Sequence, residues 1–453
     1  MTFVGQIGDK ELAAASMAST LANVTGLSVL VGLSSGFQTL GSQAFGAGAY
    51  RLVGLQLQRC LAVSFVASVA VSLFWTRSGS FLRGVGQDPT LARMAGQYMA
   101  VLIPGLWGFG LNFGLQKFLQ VQGQTKPPAV AAAVTAVIHI PLNYLFIYRL
   151  GWGYLGAAAA TSATQILTAF VLLGIIACFG LHKQCWHGWS LSAVCEVAEM
   201  KTYLRIAVPG LVMIFEWWAS EIAILMSGFL PHPELTVSTM ALYQTTNSFC
   251  FMFAIGFQIA AATRVGHELG AGEPKRARFS AFVSPVLAAV ESSILAVTLL
   301  SLRRIIPTIF TGTQTPEART LAAAVADTYP FLAAYVIGDA VSTAFGGVIT
   351  GAGKQQRGAI LVRPPSLSLL SSMGVCSTVV TPAMVQCLIS PHLISLSVPG
   401  AGHRTTGHRG LLLHRLARML RFGAPPRDGR DWDSHRDDSR HTAAVRGERA
   451  HHA

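Results

Sequence analysis

Long apolar stretches alternate with short polar turns through most of the chain. Runs of about 20 residues fall at 19–44, 59–76, 95–121, 128–148, 153–181, 204–230, 236–262, 279–302 and 320–350. As helices, these can cross a hydrocarbon core of about 30 Å. A lipid core leaves backbone groups no water to bond, so segments of this length are helical. The pattern predicts an all-α polytopic membrane protein with nine readable spans.

Composition agrees. Of 453 residues, 52% are hydrophobic and 12% charged, with a mean hydropathy of +0.49. Soluble domains carry about 25% charged residues. Of the net charge of +13, +5 comes from residues 402–453, which hold eleven of the 33 basic residues and six of the 20 acidic ones; the rest of the chain carries +8. No basic face of a soluble domain is visible, which argues against nucleic acid as a partner. Seven cysteines lack metal-ligand spacing, and Cys185 and Cys195, which share a loop, read as reduced structural thiols. No cleavable leader is evident at the N-terminus.

Loop charge orients the chain. One side collects Arg51, Lys126, Lys183, Lys201, Arg205, Lys275, Arg276, Arg278, Lys354 and Arg357. The other has Arg77, Arg83, Arg93, Arg149, Arg303, Arg304 and Arg319. The first side also holds the longest loop and reads as cytoplasmic.

The chain repeats itself as well. Residues 32–48 (GLSSGFQTLGSQAFGAG) align with 256–272 (GFQIAAATRVGHELGAG) at a spacing of 224, sharing Gly32/Gly256, Thr39/Thr263 and the closing Gly-Ala-Gly. A second echo pairs Pro104 and the Q-G-Q at 122–124 with Pro330 and the A-G-K at 352–354. Both units end in basic loops on one face, so they read as parallel repeats about an axis normal to the membrane. The expected organisation is an N-terminal bundle over 1–182, a cytoplasmic connection over 183–203, a C-terminal bundle over 204–362 and a divergent basic tail over 363–453.

Candidate chemistry lies in the second half. Glu216 and Glu221 interrupt the apolar run 204–230, and each carboxylate near mid-bilayer costs roughly 2.5–3.5 kcal/mol if it faces lipid. Such a cost points to a cavity, a partner or a bound proton. Five residues apart, the two cannot share one helical face. Pro209-Gly210, one to two turns earlier, can loosen the helix. Trp217 and Trp218 offer π faces to an organic cation, or anchor the helix in lipid. Asp339 is the other mid-span acid. Asp327 is expected at the interface, and Glu291 is alone in its span. Gln244, Thr245, Thr246 and Asn247 form a polar patch that either hydrogen-bonds a substrate or joins two helices. In the first half, Asp9, Glu11 and Asp88 fall in expected loops. The spans there carry neutral groups (Asn23, Thr25, Gln38, Asn112, Asn143), and His139 reads as a packing residue. The sequon Asn23-Val24-Thr25 lies inside a span, which argues against its use. Walker-type loops, G-x-S-x-G elbows and H-E-x-x-H are missing, so an enzyme is not expected and uphill transport must draw on an ion gradient.

Several ordered motifs resemble one family. They are G-D-K-E-L-A-A-A-S (8–16), N-V-T-G-L-S (23–28), G-S-Q-A-F-G-A-G (41–48), Gly86-Gln87-Asp88-Pro89, E-W-W-A-S-E (216–221), R-V-G-H-E-L-G-A-G (264–272) and G-G-V-I-T-G-A-G-K-Q (346–355). Together they cover about residues 3–361 and resemble the eukaryotic multidrug and toxic compound extrusion (MATE) antiporters. The resemblance implies two pseudo-symmetric six-helix bundles around a V-shaped cavity, with alternating access. It implies export of small organic cations in exchange for protons, by a monomer in the plasma or vacuolar membrane. H⁺ is then the coupling ion, and neither a metal nor another cofactor is expected. The family's acids map onto Glu216, Glu221 and Asp339, with Trp217, Trp218, Gln244 and Asn247 beside them. A helix-eight acid of some animal members has no counterpart here; Gln244 or Thr245 stands near that place.

Two departures stand out. The chain starts at the last turn of the family's first helix, and after Val362 the sequence Arg363-Pro364-Pro365 breaks the pattern. Residues 402–453 have eleven Arg, seven His and no Lys. A truncated or mis-spliced, non-transporting remnant is therefore one alternative, and a disordered basic tail is another reading of the same segment. A lipid-linked sugar flippase would need a cationic cavity, and the spans offer mainly Lys117 and Arg264. An intramembrane acid-dyad hydrolase would need Glu216 and Asp339 to touch. If the tail is a splicing artefact, sequencing the mature transcript will show a different junction after the Val362 codon. An intact Val362–Arg363 junction contradicts the artefact.

Overall fold

The computed structural model describes residues 2–190, 194–214, 233–311 and 316–362, all within one compact unit. Among them, eight helices are long and apolar enough to cross a membrane: Lys10–Gly46, Tyr50–Thr76, Pro89–Val121, Lys126–Arg149, Gly153–Cys178, Ser238–Gly270, Pro274–Ser301 and Ala318–Gly351. They correspond to eight of the nine expected spans. The described part of the remaining one belongs to a helix over Val197–Val212, and residues 215–230 lie outside the described residues. No strand occurs among the described residues.

The principal helices are α1 (Asp9–Ala22), α2 (Ser28–Gly46), α3 (Tyr50–Thr76), α4 (Pro89–Val121), α5 (Lys126–Tyr144), α6 (Gly153–Cys178), α7 (Val197–Val212), α8 (Pro233–Gly270), α9 (Pro274–Ser301), α10 (Pro316–Gly351) and α11 (Gln355–Val362). A single π-helical turn, Asn23–Leu27, joins α1 to α2 and holds the Asn23-Val24-Thr25 sequon. There the Thr25 hydroxyl donates to Leu21 O at 2.6 Å and accepts from Trp75 Nε1 at 3.0 Å. Gly26 leaves room for the Trp75 ring, which a Cβ would strike.

Helix starts differ from expectation where polar residues begin a helix. Asp9 and Glu11 lie in the first turn of α1, not in a loop, a position that suits acids at the positive end of the helix dipole. Asp88 caps α4, accepting from the amides of Thr90 and Leu91 at 2.9 and 3.0 Å. The helix α7 begins at Val197, ahead of the apolar run. Its Glu199, Lys201 and Arg205 sit between buried Tyr203, Ala207 and Gly210, an amphipathic pattern that hydropathy averages away. Pro209 lies within α7, which continues to Val212. Gly210, next to it, lets Ser35 of α2 approach closely.

Helices pack in two groups, α1–α6 and α8–α10, with α7 and α11 against each other. In the first group, Gly105 and Gly108 of α4 meet Ser162 and Ile166 of α6 so closely that a Cβ would approach within 2.7 and 2.8 Å. In the second, Gly347 and Gly351 of the G-V-I-T-G run press α10 onto Gln258 and Ala262 of α8. Lipid tails are as apolar as leucine, so such helices associate by close contact of small residues.

The internal repeat is structural. α2 ends at Gly46 and α8 at Gly270, while α3 begins at Tyr50 and α9 at Pro274. Both shifts equal the sequence spacing. Gly48 and Gly272 close the repeated Gly-Ala-Gly with φ of 71° and 74°, and Gly123 and Gly353 turn the second echo with φ of 73° and 68°. Side chains favour negative φ, so glycine serves at all four corners. Pro104 and Pro330 sit inside α4 and α10 respectively.

Replacing Gly347 by valine should lower the thermal midpoint in detergent by an amount equivalent to about 1–3 kcal/mol of overpacking. Gly174→Val, at a position with open space around it, is the control and should change little. Equal midpoints for Gly347→Val and the parent would refute the close α8–α10 contact.

Candidate functional site

Asp339 is half-buried in α10, near enough to α8 for its charge to act on the phenol of Tyr243. Gln244 and Asn247 follow on α8; Gln244 is half-buried, and Asn247 is buried with its Oδ1 lacking a hydrogen-bond partner among the described residues. Thr246 shares a 3.1 Å hydrogen bond with Tyr329 of α10, so this member of the patch joins two helices. Thr245 turns back to Ala241 O at 2.8 Å. α8 and α10 therefore bring Asp339, Tyr243, Gln244 and Asn247 into one region of the second helix group. Glu216, Trp217, Trp218 and Glu221 lie outside the described residues. Asp327 is exposed, and Glu291 of α9 has a buried Oε2 with no hydrogen-bond partner among the described residues. His139 lies between helices, 2.7 Å from Thr164 Oγ1 and 2.9 Å from Asn143 Nδ2.

The most ordered polar array is one that motif reading passed over. Gln38, Thr39, Ser42 and Gln43 form a stripe along α2 and meet α8, α10 and α11. Gln38 Nε2 donates to Thr263 Oγ1 at 3.0 Å, Thr39 Oγ1 to Thr350 O at 2.6 Å, and Gln43 Nε2 to Gly351 O at 2.9 Å. Gln355 Nε2 donates to Thr39 Oγ1. Tyr203 Oη reaches Leu33 O at 2.9 Å, and His267 Nε2 reaches Val121 O at 2.6 Å with its ring stacked on Phe45 at 5.0 Å. Gly266 and Gly270 of α8 take Ser42 and Gln43 of α2 into contact, and Gly46 takes His267. The repeated threonines, Thr39 and Thr263, both lie in this seam. The signal was present in the sequence: polar residues at 38, 39, 42 and 43 mark one helical face.

Charge reinforces the same end. Arg59 of α3, 3% exposed, pairs through Nη1 with Glu199 of α7 at 3.0 Å, and its Nη2 lies 3.9 Å from Glu196. This buried cation stands beside the two anticipated from sequence. Lys117 Nζ sits 5.2 Å from the Phe113 ring centroid, and exposed Arg264 pairs with Glu268 at 3.4 Å. Cys185 and Cys195 are both free thiols, the first buried and the second exposed; burial pushes the Cys185 thiol up to about 11.

Long packed helices, two related groups and a polar seam between them define a multi-pass membrane transporter. The MatE family model matches residues 1–145 and 209–363, and the chain belongs to this family. Its relatives include Protein DETOXIFICATION 16 of Arabidopsis thaliana, 33% identical over 360 residues, covering 79% of this chain and 72% of the relative. Protein DETOXIFICATION 17 of the same organism is 34% identical over 359 residues, covering 79% and 74%. Among solved structures, the eukaryotic MATE transporter AtDTX14 superposes with a TM-score of 0.78 at 29% identity, covering 87% of this chain and 91% of that one.

Glu199→Gln should lower the thermal midpoint by the equivalent of roughly 1–3 kcal/mol, because it weakens the pairing of a buried guanidinium. Glu268→Gln, which loses a pair with an exposed arginine, should cost about 0–1 kcal/mol. Equal, small shifts for the two would contradict the distinction drawn between these pairs.

Proposed function

We infer that the protein is a secondary antiporter exporting small organic cations in exchange for protons. The reading rests chiefly on Asp339, an acid within a membrane-spanning helix whose charge acts on Tyr243, next in sequence to Gln244 on α8. A carboxyl there has two ways to avoid a bare charge: take up a proton or pair with an organic cation. The two occupants exclude one another, and that exclusion couples the flows. Gln244 and Asn247 supply neutral donors and acceptors able to orient the polar end of a substrate. Glu216 and Glu221 are assigned the same alternation between proton and substrate, with Trp217 and Trp218 as cation–π faces. The printed names of the relatives, which speak of detoxification, accord with a xenobiotic substrate.

Transport also requires access from alternate sides. In this structure the halves meet along α2, at the end bearing the Gly-Ala-Gly turns and the basic loops read as cytoplasmic. The proposed cycle separates α2 from α8, α10 and α11 there and closes the opposite side, a change that proton or substrate binding biases through its differential affinity for the two states.

The test is pH-gradient-driven uptake of a fluorescent organic cation into proteoliposomes. Asp339→Asn and Glu216→Gln should each abolish gradient-dependent uptake in protein that still reconstitutes as a monodisperse species. Full uptake by both variants would refute the proton-coupling assignment.

A further inference from the structure

A cationic recess lies at the corner between α10 and α11, beside the seam and away from Asp339. Its volume is about 290 Å³, and Arg205, Lys354, Gln355 and Arg357 are among its lining residues. No acidic side chain lines it. Among the described residues, none of its three cations has a carboxylate within ion-pair distance; the described glutamates nearest in sequence to Arg205, Glu196 and Glu199, pair with Arg59.

Placement makes this clustering costly for the protein alone. Lys354 immediately precedes α11, and Arg357 lies in its first turn, which carries no acid. The N-terminus of a helix is the positive end of its dipole, where cations are disfavoured and anions favoured. Of the first amides of α11, those of Arg357 and Gly358 donate to Lys354 O at 2.9 and 3.2 Å, which leaves those of Gln355 and Gln356 without a carbonyl partner among the described residues. Gly353, at φ 68°, reverses the chain so that this helix start faces the recess. Gln355 fixes the corner: it is 1% exposed and donates to Thr39 of α2. Three cations, a helix start and a fixed backbone thus converge on one space, and a multiply charged oxyanion satisfies all of them.

We propose that this recess binds a phosphate group, in a site separate from the transport pathway. Two sources share that chemistry: a phosphorylated lipid headgroup on the face read as cytoplasmic, and a free phosphate ion. Because Gln355 holds the same corner to α2, an anion there strengthens the closed form of the seam.

The experiment uses the full chain purified in a neutral detergent. Thermal shift and calorimetric titration are run with inorganic phosphate, with short-chain phosphatidylinositol 4-phosphate, and with short-chain phosphatidylcholine as the control. Saturable binding of the phosphorylated lipid alone identifies the headgroup as ligand, and binding of both identifies the phosphate group itself. In either case Arg357→Gln and Lys354→Gln should each weaken the apparent affinity about tenfold, the loss expected for one charge-assisted hydrogen bond. Arg276→Gln, a basic residue of the same face outside the recess, should bind as the parent does. The proposal is overturned if neither phosphorylated ligand raises the midpoint, if the recess variants bind like the parent, or if Arg276→Gln weakens binding equally.

Discussion

Everything in this protein turns on how α2 is held. A transmembrane helix gains nothing from burying leucine against leucine, because lipid offers the same surroundings. Affinity between the halves has to come from close backbone approach and from hydrogen bonds. α2 supplies both. Its glycines and serines let α7 and α8 come near, and its Gln38, Thr39 and Gln43 reach Thr263, Thr350 and Gly351. The same helix packs α3 and α4 on its other sides, so it is the wall between the two helix groups.

Magnitudes decide what kind of wall it is. Hydrogen bonds between helices in membranes contribute about 0.6 kcal/mol each on average. Six such bonds among the described residues then amount to only roughly 3–4 kcal/mol. A ligand with about 5.5 kcal/mol of differential affinity moves a two-state equilibrium from 1:99 to 99:1. The hydrogen-bonded part of the seam is therefore smaller than the bias such a ligand supplies. The side-chain carbonyl oxygens of Gln38 and Gln355 are buried there without a donor among the described residues, which lowers the cost of separation further. Glycine packing is equally close on both sides of α8, through Gly266 and Gly270 against α2 and through Gly347 and Gly351 of α10.

Much of this was legible in the chain. Eight spans, the 224-residue repeat and the turns that close it follow directly from hydropathy and from glycine placement, because bilayer thickness and left-handed corners leave few other solutions. Helix starts were less legible: Asp9, Glu11 and the first turns of α7 are polar, and a hydropathy window assigns such residues to loops. The seam was the least visible. Gln38 reads as one more neutral polar residue until its stripe-mates at 39, 42 and 43 are laid on the same face. Arg59 was similarly hidden, because its partners, Glu196 and Glu199, lie 137 and 140 positions away, and no local spacing announces such a pair. Within the polar patch the sequence offered two readings: Thr246 joins helices, and Asn247 has an acceptor without a partner among the described residues.

The claim that this seam opens and closes during transport can be tested directly by tying it shut. A Gln38→Cys/Thr263→Cys pair replaces a 3.0 Å side-chain contact across the seam and can be tied by a short bifunctional methanethiosulfonate, which a reductant removes. Cross-linking should stop uptake of a fluorescent cation in proteoliposomes, and reduction should restore it. Undiminished uptake by fully cross-linked protein would show that the halves do not separate here and would contradict the account.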